Sequence, residues 1–234
     1  MRTDLVGREL ELAALTACLE EALEGHPRLA LCQGEPGIGK TRLAEELLTL
    51  AARRGVPGVW GVAVESAGAP PYWPWRQVLR VVADTVDVSA IADEHRLTGD
   101  LAGLAPELFA SCKELPDVSA STEDRFRQFD AATVLLRHLT REHPWVIVFD
   151  DAHSADSPSL LLLHHVARNL RDERLLVVVN RRHTEQRHGA LFAELLREPV
   201  TRQIQLQGLG PPAVRRQLAA VVGHDVGEVE STQV

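Results

Sequence analysis

The sequence predicts an α/β protein built on a mainly parallel sheet. Short apolar runs alternate with helical patterns almost throughout. A glycine-rich stretch, Gly34–Thr41, stands between one such run and one such pattern, and a second run ends in two adjacent acids, Asp150 and Asp151. With 234 residues and 45% hydrophobic content, the chain can bury one large core or two modest ones.

The elements follow in order. Leu12, Leu15, Leu19 and Leu23 share one face of a helix expected over Arg8–Glu24. Leu29–Gln33 reads as a buried strand, and Leu43, Leu47, Leu48 and Ala51 give a helix over Thr41–Arg54, with Gly55 as its stop. Val56–Val64 reads as a strand weakened at its start by Pro57 and Gly58. Ala69–Trp75 is a stiff aromatic turn feeding a helix over Arg76–Val86; its Tyr72, Trp73 and Trp75 are expected to pack on the core. Asp87–Ala120 shows no clear period and suits short helices and loops. Ser121 and Asp124 resemble a capping box that opens a helix to about Arg141, with Phe126, Phe129, Leu136 and Leu139 inward. Trp145–Phe149 is an apolar strand. Asp156 can cap the next helix, with Pro158 tolerated in its first turn. Then come strand Leu175–Val179, helix Ala190–Arg197, strand Arg202–Leu206 and helix Pro211–Val222. Residues 1–222 are expected to form one core and 223–234 a polar, fraying tail.

Gly34-Glu-Pro-Gly-Ile-Gly-Lys-Thr41 matches G-x-x-x-x-G-K-[ST] throughout. Gly34, Gly37 and Gly39 free the backbone to turn successive N–H groups toward one anion. Lys40 would place a point charge on the β- and γ-phosphates, and the Thr41 hydroxyl can ligate the accompanying Mg²⁺. A strand, a glycine-rich loop and a helix N-terminus in that order make an anion site. The strand ending in Asp150 and Asp151 supplies the complement: Asp150 would reach the metal while Asp151 polarises an attacking water. Asn180, Arg181 and Arg182 are expected to leave the end of the next strand, where a polar group and an arginine can sense the γ-phosphate.

Bulk properties narrow the partners. A net charge of −8 argues against a nucleic-acid surface, so direct DNA binding is not expected. Cys18, Cys32 and Cys112 are odd in number and far apart, which suits a reducing cytoplasm without disulfides. No run is long enough for a signal peptide or a membrane span. Lys40 and Lys113 are the only lysines among 25 basic side chains, so a lysine at the key position of the loop is not incidental. Ten histidines include His164, His165 and His183, but none shows zinc-site spacing with the cysteines.

Leu5–Leu12, the loop Gly34–Thr41, Ala69–Trp75, Arg125–Ala131, Asp150–Asp156 and Arg182–Glu185 together resemble the signal-transduction ATPases with numerous domains (STAND). Within that group they are similar to the ATPase module of large actinobacterial LuxR-type regulators and of ATPase-linked adenylate cyclases. The resemblance runs from Leu5 to Val222 and implies a P-loop NTPase of the AAA-like (ASCE) type, with a five-stranded parallel sheet flanked by helices. It implies ATP and Mg²⁺ as ligands, with Val6, Gly7 and Arg8 near the adenine. Gly34, Glu35, Pro36, Gly37, Ile38, Gly39, Lys40, Thr41 and Arg42 would line the phosphates, with Asn180 nearby. It also implies Asp150 and Thr41 on the metal, and Asp151, Lys40 and Arg182 in the catalytic roles. Ser154 stands where the family usually has tryptophan, and His183 where an aspartate usually follows the arginine; neither is expected to touch the loop.

The resemblance also implies a helical lid, sensor repeats and often a helix-turn-helix beyond the sheet module; none fits in the residues after Val222. The expected function is thus a cytoplasmic ATP/ADP switch with slow hydrolysis, part of or truncated from a LuxR-type regulator, self-associating or joining full-length relatives. The alternative is a non-hydrolysing nucleotide-binding or protein-interaction module. A small-molecule kinase would share the loop, but no acceptor-binding lid is evident.

Overall fold

The computed structural model describes residues 5–65, 69–110, 121–183 and 187–215. Strands β1 (Arg28–Gly34), β2 (Gly58–Val62), β3 (Trp145–Asp150), β4 (Leu175–Arg182) and β5 (Thr201–Gln205) form one sheet in the order β2-β3-β4-β1-β5. Every pairing is parallel, so all five C-terminal ends reach the same edge. The order has a direct consequence for the site. β4 lies between β1, which feeds the glycine loop, and β3, which ends in the acids.

The helices are α1 (Glu9–Leu23), α2 (Lys40–Arg53), α3 (Trp73–Ala83), α4 (Val88–His95), α5 (Thr98–Leu104), α6 (Thr122–Glu142), α7 (Ser157–Asn169) and α8 (Gly189–Leu195). They divide between the two faces according to the two-residue period of the strands. Ala30 and Cys32, Val146 and Val148, Leu176 and Val178, and Ile204 point toward α1 and α2. Leu29 and Leu31, Val59, Ile147 and Phe149, and Leu175, Val177 and Val179 point toward α3 to α8. Both faces are covered, which is why β3 is buried along its whole length and reads as an uninterrupted apolar run.

Local signals explain most boundaries. Ser121 accepts from the Asp124 backbone N–H (3.1 Å) while the Asp124 carboxylate accepts from the Ser121 N–H (3.0 Å), so the expected capping box is formed. Asp156 accepts from the Ser159 N–H (2.9 Å) and caps α7. The aromatic turn packs inward through two of its three rings: Tyr72 and Trp75 are buried, Trp75 Nε1 donates to the Ser159 carbonyl (3.0 Å), and its ring lies 4.7 Å from that of Phe149, whereas Trp73 is only half-buried.

Some expectations are corrected. α3 starts at Trp73, not Arg76, because Pro74 falls in the first turn, where its missing N–H costs nothing. The stretch after Asp87 does hold short helices, as expected, namely α4, α5 and a 3-10 turn over Pro106–Phe109, whose bounds the sequence left open; residues 111–120 lie outside the described residues. Phe126 does not point inward. It is 57% exposed, because burial along α6 begins at Gln128 and the first turn projects past the core. β4 runs on to Arg182 instead of ending at Val179, since its ladder with β1 continues through Asn180↔Cys32 and Arg182↔Gly34. Residues 211–215 are helical; the rest of the helix expected to Val222, the tail 223–234, and Thr184 and Glu185 lie outside the described residues. Among the described residues, no helix is long and apolar enough to cross a membrane.

Candidate functional site

The site is built where β1, β4 and β3 end. β1 delivers the chain to Gly34, and α2 begins at Lys40. Between them Gly37 and Gly39 take φ of 73° and 101°, the left-handed region that side chains with a Cβ rarely adopt. A Cβ at either position would meet no atom within 4 Å, so conformation, not space, demands glycine. Lys40 is 7% exposed, and its Nζ donates to the carbonyls of Gly34 and Glu35, both at 2.9 Å. The ammonium thus folds back over the loop that an anion would enter. Burial pushes Lys40 below its ordinary pKa; Asp151 and Asp150 oppose this, and the nearby Arg182 adds to it.

The two acids differ in setting. Asp150, 7% exposed, closes β3 and points to the α2 side, the same side as Val146 and Val148. Its Oδ2 accepts from Thr41 Oγ1 (2.9 Å) and its Oδ1 from Asn180 Nδ2 (2.9 Å). One carboxylate therefore ties the glycine loop's helix to the strand lying between them. Asp151 lies just past the strand with φ of 50°, an uncommon left-handed conformation, and its side chain is 48% exposed toward solvent.

The period of β4 sorts its polar end. Asn180 and Arg182 share the α2 side, whereas Arg181 turns to the other face and lays its guanidinium 4.4 Å over the Phe192 ring. The Asn180 side chain is fully buried, and its Oδ1 has no hydrogen-bond partner. A buried amide oxygen left so beside a carboxylate marks a place where a further donor is expected.

Thr41 and Asp150 bring a hydroxyl and a carboxylate oxygen within 2.9 Å of each other. That oxygen set fits Mg²⁺, which prefers hard oxygen ligands and keeps several waters.

The N-terminal segment closes one side. Arg8 is buried, pairs with Glu11 (2.8 Å) and donates to the Ile38 carbonyl (2.9 Å), so it anchors the loop itself. Gly7 has φ of 72°, and a Cβ there would lie 2.6 Å from that of Ala213. Val6, Gly7 and Arg8 are therefore brought between the loop and the segment after β5. Glu35, Pro36 and Gly37 form the exposed tip of the loop. Arg42 is engaged along α2 by Glu45 (3.3 Å) and Glu46 (3.2 Å).

The sequence missed two residues and misplaced one. His153 is buried, with Nδ1 3.9 Å from the Asp151 carboxylate. Asp156 accepts from the Tyr72 N–H (3.3 Å) besides capping α7, joining the aromatic turn to the segment after the acids. Both stand in the run Asp150–Asp156, the signal that could have found them. His183 does touch the loop, contrary to expectation: its N–H donates to the Gly34 carbonyl (3.4 Å), because β4 continues alongside β1.

Residues 4–179 match the AAA ATPase domain family. No curated protein matches the sequence. The structure is similar to that of Cdc6p from Pyrobaculum aerophilum, at 16% identity and a TM-score of 0.57, over 94% of this chain and 50% of that one. It is similar to a Walker-type ATPase of Pyrococcus abyssi (17%, TM-score 0.55, 98% and 62%). A third likeness is to the Orc1 protein of Aeropyrum pernix, solved in complex with DNA (18%, TM-score 0.53, 97% and 52%). At these identities the likeness is one of fold, and the chain spans only half to three fifths of the length of these structures. The family match over most of the chain, on a parallel sheet whose edge gathers the glycine loop and two acids, places this protein in the AAA ATPase domain family.

Proposed function

We propose that this chain is the ATP-binding module of a regulatory ATPase of the STAND type, a Mg²⁺-dependent switch with slow hydrolysis that belongs to a LuxR-type transcriptional regulator. The observation that carries the proposal is the coupling of Thr41, Asp150 and Asn180 through one buried carboxylate. It joins the element that would hold the phosphates to the strand end that would sense them, so a change at the γ-phosphate has a path into the sheet.

In this proposal Lys40 leaves the Gly34 and Glu35 carbonyls to meet the β- and γ-phosphates, and the N–H groups of Gly37 to Thr41 cradle them. Thr41 and Asp150 would hold Mg²⁺, which when bound would supply neutralisation of charge on the phosphate oxygens. Asp151, half exposed at the mouth, orients the attacking water and accepts its proton. Asn180 and Arg182 meet the γ-phosphate, while Val6, Gly7 and the segment near Ala213 hold the base. ATP and ADP are the ligands, the module acts in the cytoplasm, and it self-associates or joins full-length relatives. DNA is not a ligand of this module: the charge of −8 opposes it, and the DNA in the Orc1 structure belongs to that protein.

The test is calorimetric titration of the folded chain with ATP and Mg²⁺, alongside Lys40→Ala, followed by a radiolabelled phosphate-release assay. Saturable binding lost in Lys40→Ala is expected, with slow release that Asp151→Asn reduces about 10²-fold or more while binding is kept. Equal binding by Lys40→Ala would remove the loop from the site. Binding without any release would favour the non-hydrolysing alternative.

A further inference from the structure

Away from the sheet edge, α4 and α6 bring together two histidines that sequence spacing does not connect. His95 stands in the last turn of α4 and His138 on α6, 43 residues apart in the chain. His95 Nε2 and His138 Nδ1 are 3.2 Å apart, with ring centroids at 5.3 Å and planes at 76°. The Glu94 carboxylate joins them: one ligand atom from each of the three residues lies within 4.8 Å of the others. Among the described residues this is the one group of three such side chains at metal-ligating distances.

We propose that Glu94, His95 and His138 form a binding site for a divalent transition metal of the zinc class. Two Zn–N bonds of about 2.05 Å meeting at the tetrahedral angle set their nitrogens about 3.3 Å apart. The two imidazole nitrogens already stand at that separation. At a shared ion, tetrahedral geometry would set each Zn–N bond about 35° off the line joining the two nitrogens. Both rings are half-buried, which holds their positions, and Glu94 is exposed at the rim, free to swing its carboxylate onto the ion. Without a metal one of these nitrogens donates its N–H to the other; to bind an ion the donor ring takes its other tautomer, its proton moving to the far ring nitrogen, so that both neutral rings offer a lone pair. Two imidazoles and a carboxylate favour zinc over magnesium, so the site is chemically distinct from the oxygen pair Thr41 and Asp150. A water completes the fourth position. The ion would clip α4 to α6 and so stiffen the helical layer over the sheet.

The full chain, stripped of metal with a chelator, is titrated with Zn²⁺ and separately with Co²⁺, whose visible bands report tetrahedral nitrogen ligation. The expected result is one equivalent bound, a rise in Tm with zinc, and no competition from excess Mg²⁺. His95→Ala and His138→Ala each weaken binding at least tenfold, and Glu94→Gln weakens it less. Circular dichroism checks that each variant is folded; if His138→Ala is not, His138→Gln keeps the bulk without that nitrogen. Absence of zinc binding to the folded parent at about tenfold molar excess overturns the proposal. So does unchanged binding in either histidine variant, or displacement by Mg²⁺.

Discussion

The two faces of the sheet are built alike and end differently. Toward α1 and α2 the strands present Ala30, Cys32, Val146, Val148, Leu176 and Val178, and at the C-terminal edge that series turns polar with Asp150, Asn180 and Arg182. Toward α3 to α8 the matching series on β3 and β4 stays apolar through Phe149 and Val179; at the edge it carries the buried Gln33 of β1 and Arg181, whose guanidinium lies on an aromatic ring. A polar residue placed at one register position joins the site; one residue earlier or later, it becomes packing. The candidate site residues Asp150, Asn180 and Arg182 thus lie on one face, and the larger apolar cluster lies on the other.

This division can be broken from either side. The largest stability effect is expected from Phe149→Ala, which removes a buried ring lying against Trp75: a loss of about 3–5 kcal/mol in denaturant unfolding, with nucleotide binding kept by the folded fraction. If binding fell with no loss of stability, the faces would not divide as described. Asn180→Ala should act the other way round. It removes the donor to Asp150, costs about 1–3 kcal/mol, and weakens Mg²⁺-dependent nucleotide binding by more than its stability effect accounts for. A variant that binds like the parent would leave Asn180 with a purely structural part.

Smaller effects sharpen the same contrast. Ser121→Ala opens the capping box of α6, on the apolar side, and should cost about 1 kcal/mol with binding unchanged. Phe126→Ala should change stability by no more than about 0.5 kcal/mol, since the ring is already mostly in water. A loss of several kcal/mol there would restore the inward placement that the helical period suggests. At low pH, the helical layer should loosen through Glu107. Burial alone would raise its pKa, but hydrogen bonds from Arg76 and Arg80 outweigh that and hold it below its ordinary value. Its stabilising contribution is therefore present above the ordinary glutamate range and is lost as pH falls through the lowered value. An acid unfolding midpoint unchanged in Glu107→Gln would exclude it.

The chemistry of the loop was legible because it is local. Gly34 to Thr41 lie within eight consecutive positions, and Gly37 and Gly39 answer to left-handed backbone conformations, whereas Gly34 is crowded by Ile38 and by Leu206 from beyond β5. The acids were legible because a strand buried on both faces is apolar until it stops, so Asp150 marks its own end. The bounds of the short helices after Asp87 were not legible. α4 and α5 span 8 and 7 residues, about two turns each, too few to separate a period from chance. Nor was the fate of Phe126, because the period states a direction but not how far the core extends along it.

By itself, then, the sequence determined the element order, the parallel sheet, the phosphate-type loop and the acid-tipped strand. Each depends on residues a few positions apart. Only the tertiary structure decided that β4 runs between β1 and β3, and so sets Asn180 against Asp150 and Thr41 against the same carboxylate, 109 residues away. It alone decided that His95 meets His138 across two helices. Such meetings depend on how strands are ordered and helices cross, and those are properties of the packed core as a whole.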